Sequence, residues 1–439
     1  MTFYAPSFAV FFAAVYAAVA VLNARHLTGL RNGVLTAASW CFYGTLHYLF
    51  PLLLLYSTSV CHLFGRAAAA GSKRAAAAAT LLCLLPLLFF KYAPGYIPGI
   101  LLPAGLSFFT FQAVSYIVDL YRKRLSPAGW GEIALCLSFF PTLTAGPIER
   151  LRRLLPQLRG PLPLSYSAFA SGGGLFLWGL FQKTVVADRL RLYVDLIYGA
   201  PELNAGSSLA LAALLYSFCI YADFSGYTDM ARGLARTLGV ELMPNFRFPY
   251  LAGSFREFWR RWHISLTSWF ADYVYRPLGG NRAGRARWLA AVAAVFILSA
   301  LWHGTAAGFV VWGALHACFY ATEQWIGPPR GRLRLLYAPA VFLCITLAWV
   351  FFRLPTGGQA LTVIGRIISG PWLPFQPGAS MFTTATTLSM AGLFIAVELL
   401  QSHGRLPRSV WFRLPAAAVL IILILLLSPP AAPFIYYKF

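Results

Sequence analysis

The chain has 439 residues, of which 59% are hydrophobic and only 11% are charged. Soluble domains carry about 25% charged residues, so this composition excludes a soluble globular protein and indicates an integral membrane protein. The formal net charge of +22 comes from 35 Lys and Arg against 13 Asp and Glu. The basic residues lie between the apolar runs, as the positive-inside rule expects of cytoplasmic loops, so we predict no nucleic-acid partner. They include Arg25, Arg31, Arg66, Lys73, Arg74, Arg122, Lys123, Arg124, Arg150, Arg152, Arg153, Arg282, Arg285 and Arg287.

Window hydropathy divides the chain into apolar segments separated by short breaks rich in Arg, Pro or Gly. The segments lie at about 4–22, 34–64, 76–91, 97–121, 131–147, 166–187, 207–222, 288–303, 306–326, 335–353, 382–400 and 411–428. Since about 20 apolar residues span a bilayer as a helix, the sequence predicts an all-α polytopic membrane protein with about eleven transmembrane helices. Shorter segments predict re-entrant or interfacial helices. We expect one membrane-embedded domain at 1–439.

The first two segments carry signals of their own. The first lacks the basic stretch of a cleaved signal peptide and is long enough to cross, so we expect it to be retained with its N-terminus outside. We expect the second to form two helices that break near Pro51. The seven cysteines lie mostly within apolar runs and form no C-x-x-C pair, which favours packing over metal or redox chemistry.

Residues 223–287 break the pattern, because they contain little that could cross a bilayer. The stretch FREFWRRWHISLTSWFADY, residues 255–273, lies in the middle of this region. A helix over 255–271 would carry two stripes about a third of a turn apart. One stripe contains Trp259, Trp262, Leu266 and Trp269, and the other contains Arg256, Arg260, His263 and Thr267. An interfacial helix explains the Trp stripe, but it leaves His263 on the Arg face unexplained.

Two further histidines lie in apolar surroundings. His303 ends a run of about 15 apolar residues, short of a full span, so we expect it at depth, where an ionisable side chain indicates function. Gly304 and Gly308 follow it and would allow the helix to break or the backbone to approach another chain segment closely. For His316, in the next apolar run, a hydrogen bond to a neighbouring helix is the simplest interpretation.

Two carboxylates, Asp223 and Asp229, follow an apolar run, with Ser225 between them. They could hold a cation or orient a histidine. They could equally cap the next helix, since DFSG and YTDM are good N-terminal signals. Their spacing leaves these alternatives open.

Taken together, these residues suit acyl transfer from a thioester to a hydroxyl. Such a reaction needs a base for the hydroxyl proton, donors for the developing oxyanion and a site that holds both reactants. A histidine of near-neutral pKa is the usual base, and arginines attract the phosphates of a donor such as acetyl-CoA. The sequence has no G-x-S-x-G, H-E-x-x-H or Walker motif.

The motifs FREFWRRWHISLTSWFADYVYRPLGGNR and LWHGTAAGFVVWGALHA resemble the membrane-bound O-acyltransferase family. Within that family the resemblance is to the bacterial alginate O-acetyltransferase group, which includes peptidoglycan O-acetyltransferases. Supporting matches are FFKYAP, LPAGLSFFTFQAVSYIVDLYR, FFPTLTAGPIER, YADFSGYTDMARGL and PFIYYKF, with the motif core at about 220–325. The resemblance implies a ring of helices around a central tunnel that joins the two membrane faces.

The resemblance also implies residue roles. The family's essential histidine corresponds to His303 in the W-H-G motif, and a second characteristic histidine corresponds to His263 in the W-H-I-S motif. On that basis His303 is the base in the tunnel, and His263 lies on the cytoplasmic side near the donor. Lining, supporting or donor-binding roles would fall to Trp302, Arg256, Arg260, Asp223, Ser225, Asp229 and His316.

We therefore expect a multi-pass O-acetyltransferase of the bacterial inner membrane, surrounded by lipid. It would move acetyl groups from a cytoplasmic thioester, acetyl-CoA, toward hydroxyls of an extracytoplasmic polysaccharide or peptidoglycan, without a bound cofactor or metal. It would act directly or through a periplasmic acetyltransferase or esterase-like partner. D-alanyl or other acyl transfer from a carrier protein to a cell-envelope polymer is the alternative within the family. A proton-coupled transporter and a non-catalytic scaffold are the alternatives outside it.

Overall fold

The computed structural model describes residues 2–97, 99–282, 284–327, 329, 331, 333–354, 356–405, 410–430, 432 and 434. Within these residues the chain forms α-helices and short 3-10 or π-helical turns, and no β-strand. The predicted all-α class is therefore confirmed for the described part of the chain. A helix satisfies its backbone hydrogen bonds internally, which is what an apolar surrounding requires.

The helices follow one another with short connections. In chain order they are α1 (Pro6–Ala24), α2 (Thr28–Gly44), α3 (Phe50–Ala69), α4 (Lys73–Tyr92), α5 (Leu106–Tyr121), α6 (Trp130–Ser138), α7 (Phe140–Leu143), α8 (Leu151–Arg159), α9 (Tyr166–Phe181), α10 (Asp188–Tyr198), α11 (Gly206–Thr237), α12 (Phe255–Arg261), α13 (Ile264–Phe270), α14 (Arg285–His303), α15 (Ala307–Ile326), α16 (Leu333–Arg353), α17 (Gly357–Ser369), α18 (Met381–Ser402) and α19 (Val410–Leu427). Two π-helical turns, Gln182–Ala187 and Ala271–Tyr275, extend α9 and α13.

Seven of the described helices are long and apolar enough to cross a membrane. They are Pro6–Ala24, Phe50–Ala69, Lys73–Tyr92, Gly206–Thr237, Arg285–His303, Leu336–Arg353 and Met381–Ser402. The predicted count of about eleven is not confirmed, because several apolar segments fold as shorter pieces. The segment at 131–147, for example, becomes the nine-residue α6 and the four-residue α7.

Two sequence expectations near the start of the chain are tested by the helix boundaries. The first segment forms a candidate span, α1, as its length predicts. The second segment forms two helices, since α2 ends at Gly44 and α3 begins at Phe50. Pro51 occupies the first turn of α3, where its missing N–H costs no helical hydrogen bond. The predicted break near Pro51 is confirmed.

The expectation that 223–287 contains little able to cross is wrong for its first part. Residues 223–237 continue α11, a helix of 32 residues whose candidate span is Gly206–Thr237. Charge at Asp223 and Asp229 marked this part as polar in the sequence, but α11 carries both carboxylates within its length. The remainder, residues 238–284, contains only short helices and turns.

The chain forms two compact units. The first contains Met1–Phe176 and Tyr227–Pro244, and the second contains Leu177–Gly226 and Asn245–Phe439. The chain passes from one unit to the other within α9 and within α11. Of the candidate site residues, Asp229 belongs to the first unit and all the others belong to the second.

Arg31 lies inside the first unit rather than in a loop. Its side chain is fully buried within α2. The guanidinium donates to the carbonyl oxygens of Leu158 (2.7 Å) and Gly160 (2.9 Å) and to Oδ1 of Asn23 (2.8 Å). The interpretation of Arg31 as a cytoplasmic-loop charge is therefore wrong. It satisfies the carbonyls at the end of α8, which have no partner within that helix.

Helices α9 and α11 approach each other closely in the first unit through two glycines. A Cβ on Gly172 would lie 2.7 Å from the carbonyl oxygen of Gly233, and a Cβ on Gly233 would lie 2.6 Å from that of Gly172. Small residues allow this backbone approach between membrane helices. Gly174, two residues along α9, faces open space instead.

We predict that Gly172→Ala lowers the thermal unfolding temperature of the detergent-purified protein, by the equivalent of about 1 to 3 kcal/mol, because the added methyl forces the two backbones apart. Gly174→Ala is the matched control on the same helix, and it should leave the unfolding temperature unchanged or slightly higher, because alanine favours helix. Equal effects of the two substitutions would contradict this account of the packing.

Candidate functional site

The stretch FREFWRRWHISLTSWFADY forms two short helices, α12 and α13, and not the single helix predicted over 255–271. His263 separates them in the left-handed conformation, with φ +43° and ψ +53°. Asn245 holds the turn, because its carbonyl oxygen accepts from the Ile264 N–H (2.8 Å) and its Oδ1 accepts from the Ser265 N–H (3.2 Å). A long-range partner of this kind compensates for the left-handed residue, which costs about 1 to 2 kcal/mol.

The break sends His263 away from the arginines with which it shared a predicted stripe. The His263 side chain is 1% exposed, whereas Arg256 and Arg260 are exposed. Burial lowers the pKa of His263 to about 3, because the charged imidazolium would lose its hydration. His263 is therefore neutral at physiological pH and is able to take a proton only if its surroundings change.

Aromatic rings connect His263 to His303 in the second unit. The His263 ring contacts Phe224 edge-on at 4.6 Å between centroids and lies 6.0 Å from the Trp302 ring. The Trp302 and His303 ring centroids are 4.6 Å apart. The structure thus brings together the two histidines that the sequence singled out, with Trp302 between them.

His303 is the last residue of α14 and is 3% exposed. Its ring contacts Phe352 at 4.8 Å and Trp312 at 5.3 Å. The expectation that His303 ends a run too short to span is wrong, because α14 begins already at Arg285 and its 19 residues qualify as a candidate span. The sequence reading began the run at the first apolar residue and so omitted the Arg-containing first turn.

The two glycines after His303 act as predicted. α14 ends at His303, with Gly304 as the residue that follows the helix. A Cβ on Gly308 would lie 2.3 Å from the carbonyl oxygen of Phe351, so α15 and α16 approach as closely as their backbones allow. This approach places Phe352 against the His303 ring.

His316 lies in an aromatic cage in the interior of the second unit. It is fully buried, and its ring lies 5.0 Å from Trp259 and 5.1 Å from Trp312. Phe258, Phe296, Phe319 and Trp349 complete the cage. Among the described residues neither ring nitrogen of His316 has a hydrogen-bond partner. The predicted hydrogen bond to a neighbouring helix is therefore wrong within the described structure, because aromatic side chains occupy the facing positions.

Asp223 belongs to a buried cluster of charges that the sequence did not reveal. Nζ of Lys183 lies 2.7 Å from Oδ1 of Asp223 and 2.7 Å from Oδ1 of Asp188. Arg191 lies 3.5 Å from Oδ2 of Asp223. Ser225 donates a short hydrogen bond to the side chain of Gln182 in the same region. A lysine in the apolar segment 166–187 was the available signal, because a charge there requires a partner.

The suggestion that Asp223 and Asp229 cap a helix is wrong, because both lie in the interior of α11. Asp229, in the first unit, pairs with Arg232 at 2.9 Å on the same helix. The cation that Asp223 contacts is the Lys183 ammonium. The two carboxylates therefore act separately, each with its own basic partner.

A cavity of about 460 Å³ lies beside the two arginines of the predicted donor site. Arg256 and Arg260 line it, and within the described residues neither forms an ion pair. Ile264, next to His263, and Ser299, one turn before His303 on α14, also line it. The rings of His263 and His303 do not line the cavity. Trp259 and Phe296 separate it from His316.

Comparison with known proteins places this arrangement in a family. The model of the membrane-bound O-acyltransferase family matches residues 131–328, which contain every candidate site residue. The probable alginate O-acetylase AlgI of Pseudomonas aeruginosa is 35% identical over 364 residues, covering 76% of this chain and 69% of the relative. The chain belongs to the membrane-bound O-acyltransferase family. The family resemblance drawn from the motifs is confirmed.

Other relatives of this membrane-bound O-acyltransferase differ in their named acceptors. The peptidoglycan O-acetyltransferase of Helicobacter pylori is 33% identical over 301 residues, covering 61% of this chain and 57% of the relative. The teichoic acid D-alanyltransferase of Bacillus subtilis is 28% identical over 242 residues, covering 50% and 60%. Four further alginate O-acetylase relatives are matched over 60 to 65% of their length.

We predict that His316→Phe keeps the stability of the protein within about 1 kcal/mol of the wild type, because an aromatic ring of similar size retains the cage contacts. His316→Ala should lower it by about 2 to 4 kcal/mol by leaving a cavity. Thermal unfolding of the purified variants measures both. A loss for the phenylalanine variant as large as for the alanine variant would show that the ring nitrogens hold an essential hydrogen bond.

Proposed function

We propose that this chain is a multi-pass O-acetyltransferase of the bacterial inner membrane, working as one domain over residues 1–439. It transfers acetyl groups from a cytoplasmic thioester, acetyl-CoA, to hydroxyls of an extracytoplasmic polysaccharide or peptidoglycan. Family membership supports acyl transfer, and the named relatives act on alginate, peptidoglycan and teichoic acid. The transfer is direct or is completed by a periplasmic acetyltransferase or esterase-like partner.

The cavity beside Arg256 and Arg260 carries the proposal. Two exposed guanidiniums without carboxylate partners suit the phosphates of a CoA donor, which arginine binds through paired hydrogen bonds. Ser299 lies on the cavity wall one turn before His303. A thioester arm that enters here and extends along α14 would reach His303, with a side-chain movement that opens the last turn. We propose this route as the donor end of the central tunnel.

The chemistry follows from a base beside the thioester. His303 accepts the proton of the acceptor hydroxyl as its oxygen attacks the acetyl carbonyl carbon. The new C–O ester bond forms, the C–S bond breaks, and the proton passes to the departing sulfur, so the thiol leaves and His303 is neutral again. Burial among Phe352, Trp302 and Trp312 keeps water from competing with the hydroxyl.

The other candidate residues support this step by position. His263 is proposed on the donor side, since its neighbour Ile264 lines the cavity. Trp302 separates the two histidines. Asp223 and Ser225 flank Phe224, which contacts the His263 ring, so their polar contacts fix that part of α11. For Asp229 the family resemblance is the support.

One alternative has specific support. D-alanyl transfer from a carrier protein rests on the Bacillus subtilis relative, and it would use the same base with a different donor. A proton-coupled transporter fits less well, because Asp223 is paired with Lys183 and Asp229 with Arg232. An ion-paired carboxylate is a poor proton carrier near neutral pH. Transport by the purified protein in liposomes without an acyl donor would favour the transporter.

We predict that His303→Ala abolishes glycan O-acetylation, with a loss of at least about 100-fold, because general base catalysis contributes about 100- to 10,000-fold. O-acetyl content of the envelope polymer and abundance of the membrane protein are measured together. His403→Ala, at an exposed histidine after α18, is the matched control and should acetylate normally. Normal acetylation by the His303 variant would rule out His303 as the base.

We predict that Arg256→Gln and Arg260→Gln each weaken donor binding about tenfold, because a charge-assisted hydrogen bond to phosphate is worth about 1.5 to 3 kcal/mol. The KM for acetyl-CoA should rise while kcat changes little. Arg247→Gln, an exposed arginine outside the cavity, is the control. Unchanged KM values for both cavity variants would place the donor elsewhere.

A further inference from the structure

A second cavity, of about 340 Å³, lies between the first turn of α14 and the end of α15. Its lining residues are Asn281, Arg285, Trp288, Leu289, Gln324 and Trp325. We call it the Arg285 cavity. It shares only Asn281 with the larger cavity proposed for the donor. None of its residues has a role in the acyl-transfer step above.

Arg285 gives this cavity a positive charge that the protein does not neutralise. Its guanidinium carbon lies 5.0 Å from the centre of the Trp325 ring, where the aromatic face stabilises a cation. Within the described residues Arg285 forms no ion pair. Arg282 and Arg287 lie close by in the sequence and add charge of the same sign.

The acidic residue at this end of α15, Glu323, is occupied elsewhere. Its carboxylate accepts hydrogen bonds from the backbone N–H groups of Phe255 (2.6 Å) and Arg256 (2.9 Å). The hydroxyl of Tyr337 donates to it as well, at 2.8 Å. Glu323 therefore anchors the start of α12 and does not serve as the counter-ion of Arg285.

The position and the lining of the cavity are those of a membrane interface. It lies at the Arg-rich end of the candidate span Arg285–His303, the end that the positive-inside rule assigns to the cytoplasm. Trp325 and Ile326 are 65% and 79% exposed. Trp288 is amphipathic in its contacts, since its Nε1 donates to the Tyr275 hydroxyl at 3.0 Å. Tryptophans with one polar and one apolar side concentrate at headgroup level.

We propose that the Arg285 cavity binds the phosphate of an anionic phospholipid from the cytoplasmic leaflet. Arg285 binds the phosphate, the amides of Asn281 and Gln324 face the hydroxyls of a glycerol headgroup, and Leu289 and the Trp325 ring contact the start of the acyl chains. A soluble phosphate ester offers the same charge, but the exposed apolar rim at Trp325 and Ile326 favours a ligand with hydrocarbon attached. The inference does not depend on the proposed acyltransferase activity.

The test compares lipids on the purified full chain in detergent. Dioleoylphosphatidylglycerol or dioleoylphosphatidylcholine is titrated in, and bound lipid is counted by native mass spectrometry. The wild type should retain phosphatidylglycerol in preference to phosphatidylcholine. Arg285→Gln should bind phosphatidylglycerol about tenfold more weakly. Arg287→Gln removes the same charge two residues away, outside the cavity, and should bind like the wild type.

Further arms separate the possible outcomes. Arg285→Lys keeps the charge but loses the planar fork, so it should keep part of the preference, and Trp325→Leu should weaken binding severalfold. These variants carry the test if Arg285→Gln fails to fold. Equal losses for Arg285→Gln and Arg287→Gln, or equal binding of the two lipids, would overturn the proposal. So would displacement of phosphatidylglycerol by inorganic phosphate or CoA, which would identify a soluble-phosphate site.

Discussion

The left-handed turn at His263, held by Asn245, is the constraint on which the site depends. A continuous helix would keep His263 on the same face as Arg256 and Arg260, so that the histidine and the arginines shared one environment. The turn separates them, because it reverses the direction of the chain within one residue. The arginines then line a cavity while the imidazole enters the aromatic interior.

Buried charges elsewhere follow the same principle of local compensation. Lys183 is fully buried and contacts two carboxylates, and Arg31 is fully buried and donates to carbonyls at the end of α8. Removing one member of such a set leaves the other charge without compensation, which costs about 3 to 5 kcal/mol. These sets therefore fix helix positions that apolar packing, which has no direction, would leave less well defined.

Several elements could be predicted from the sequence because they depend on local chemistry. The break before α3 follows from Pro51, the end of α14 follows from His303 and Gly304, and the helical class follows from the apolar runs. The count of spans could not be predicted, because hydropathy measures composition and not how a segment folds. The segment 131–147 is as apolar as a span but divides at Phe139, while α11 carries two aspartates and continues through them.

The sequence by itself determined the membrane class, the family motifs and the identity of His263 and His303, because composition and short motifs are written in adjacent residues. Only the tertiary structure decided which side chains meet. Asn245 reaches the turn at His263, Lys183 reaches Asp223, and Trp302 lies between the two histidine rings. The first two contacts join residues far apart in the sequence or on different helices, so no local pattern records them. Long-range packing, which fixes the geometry of the site, therefore lies outside what sequence periodicity expresses.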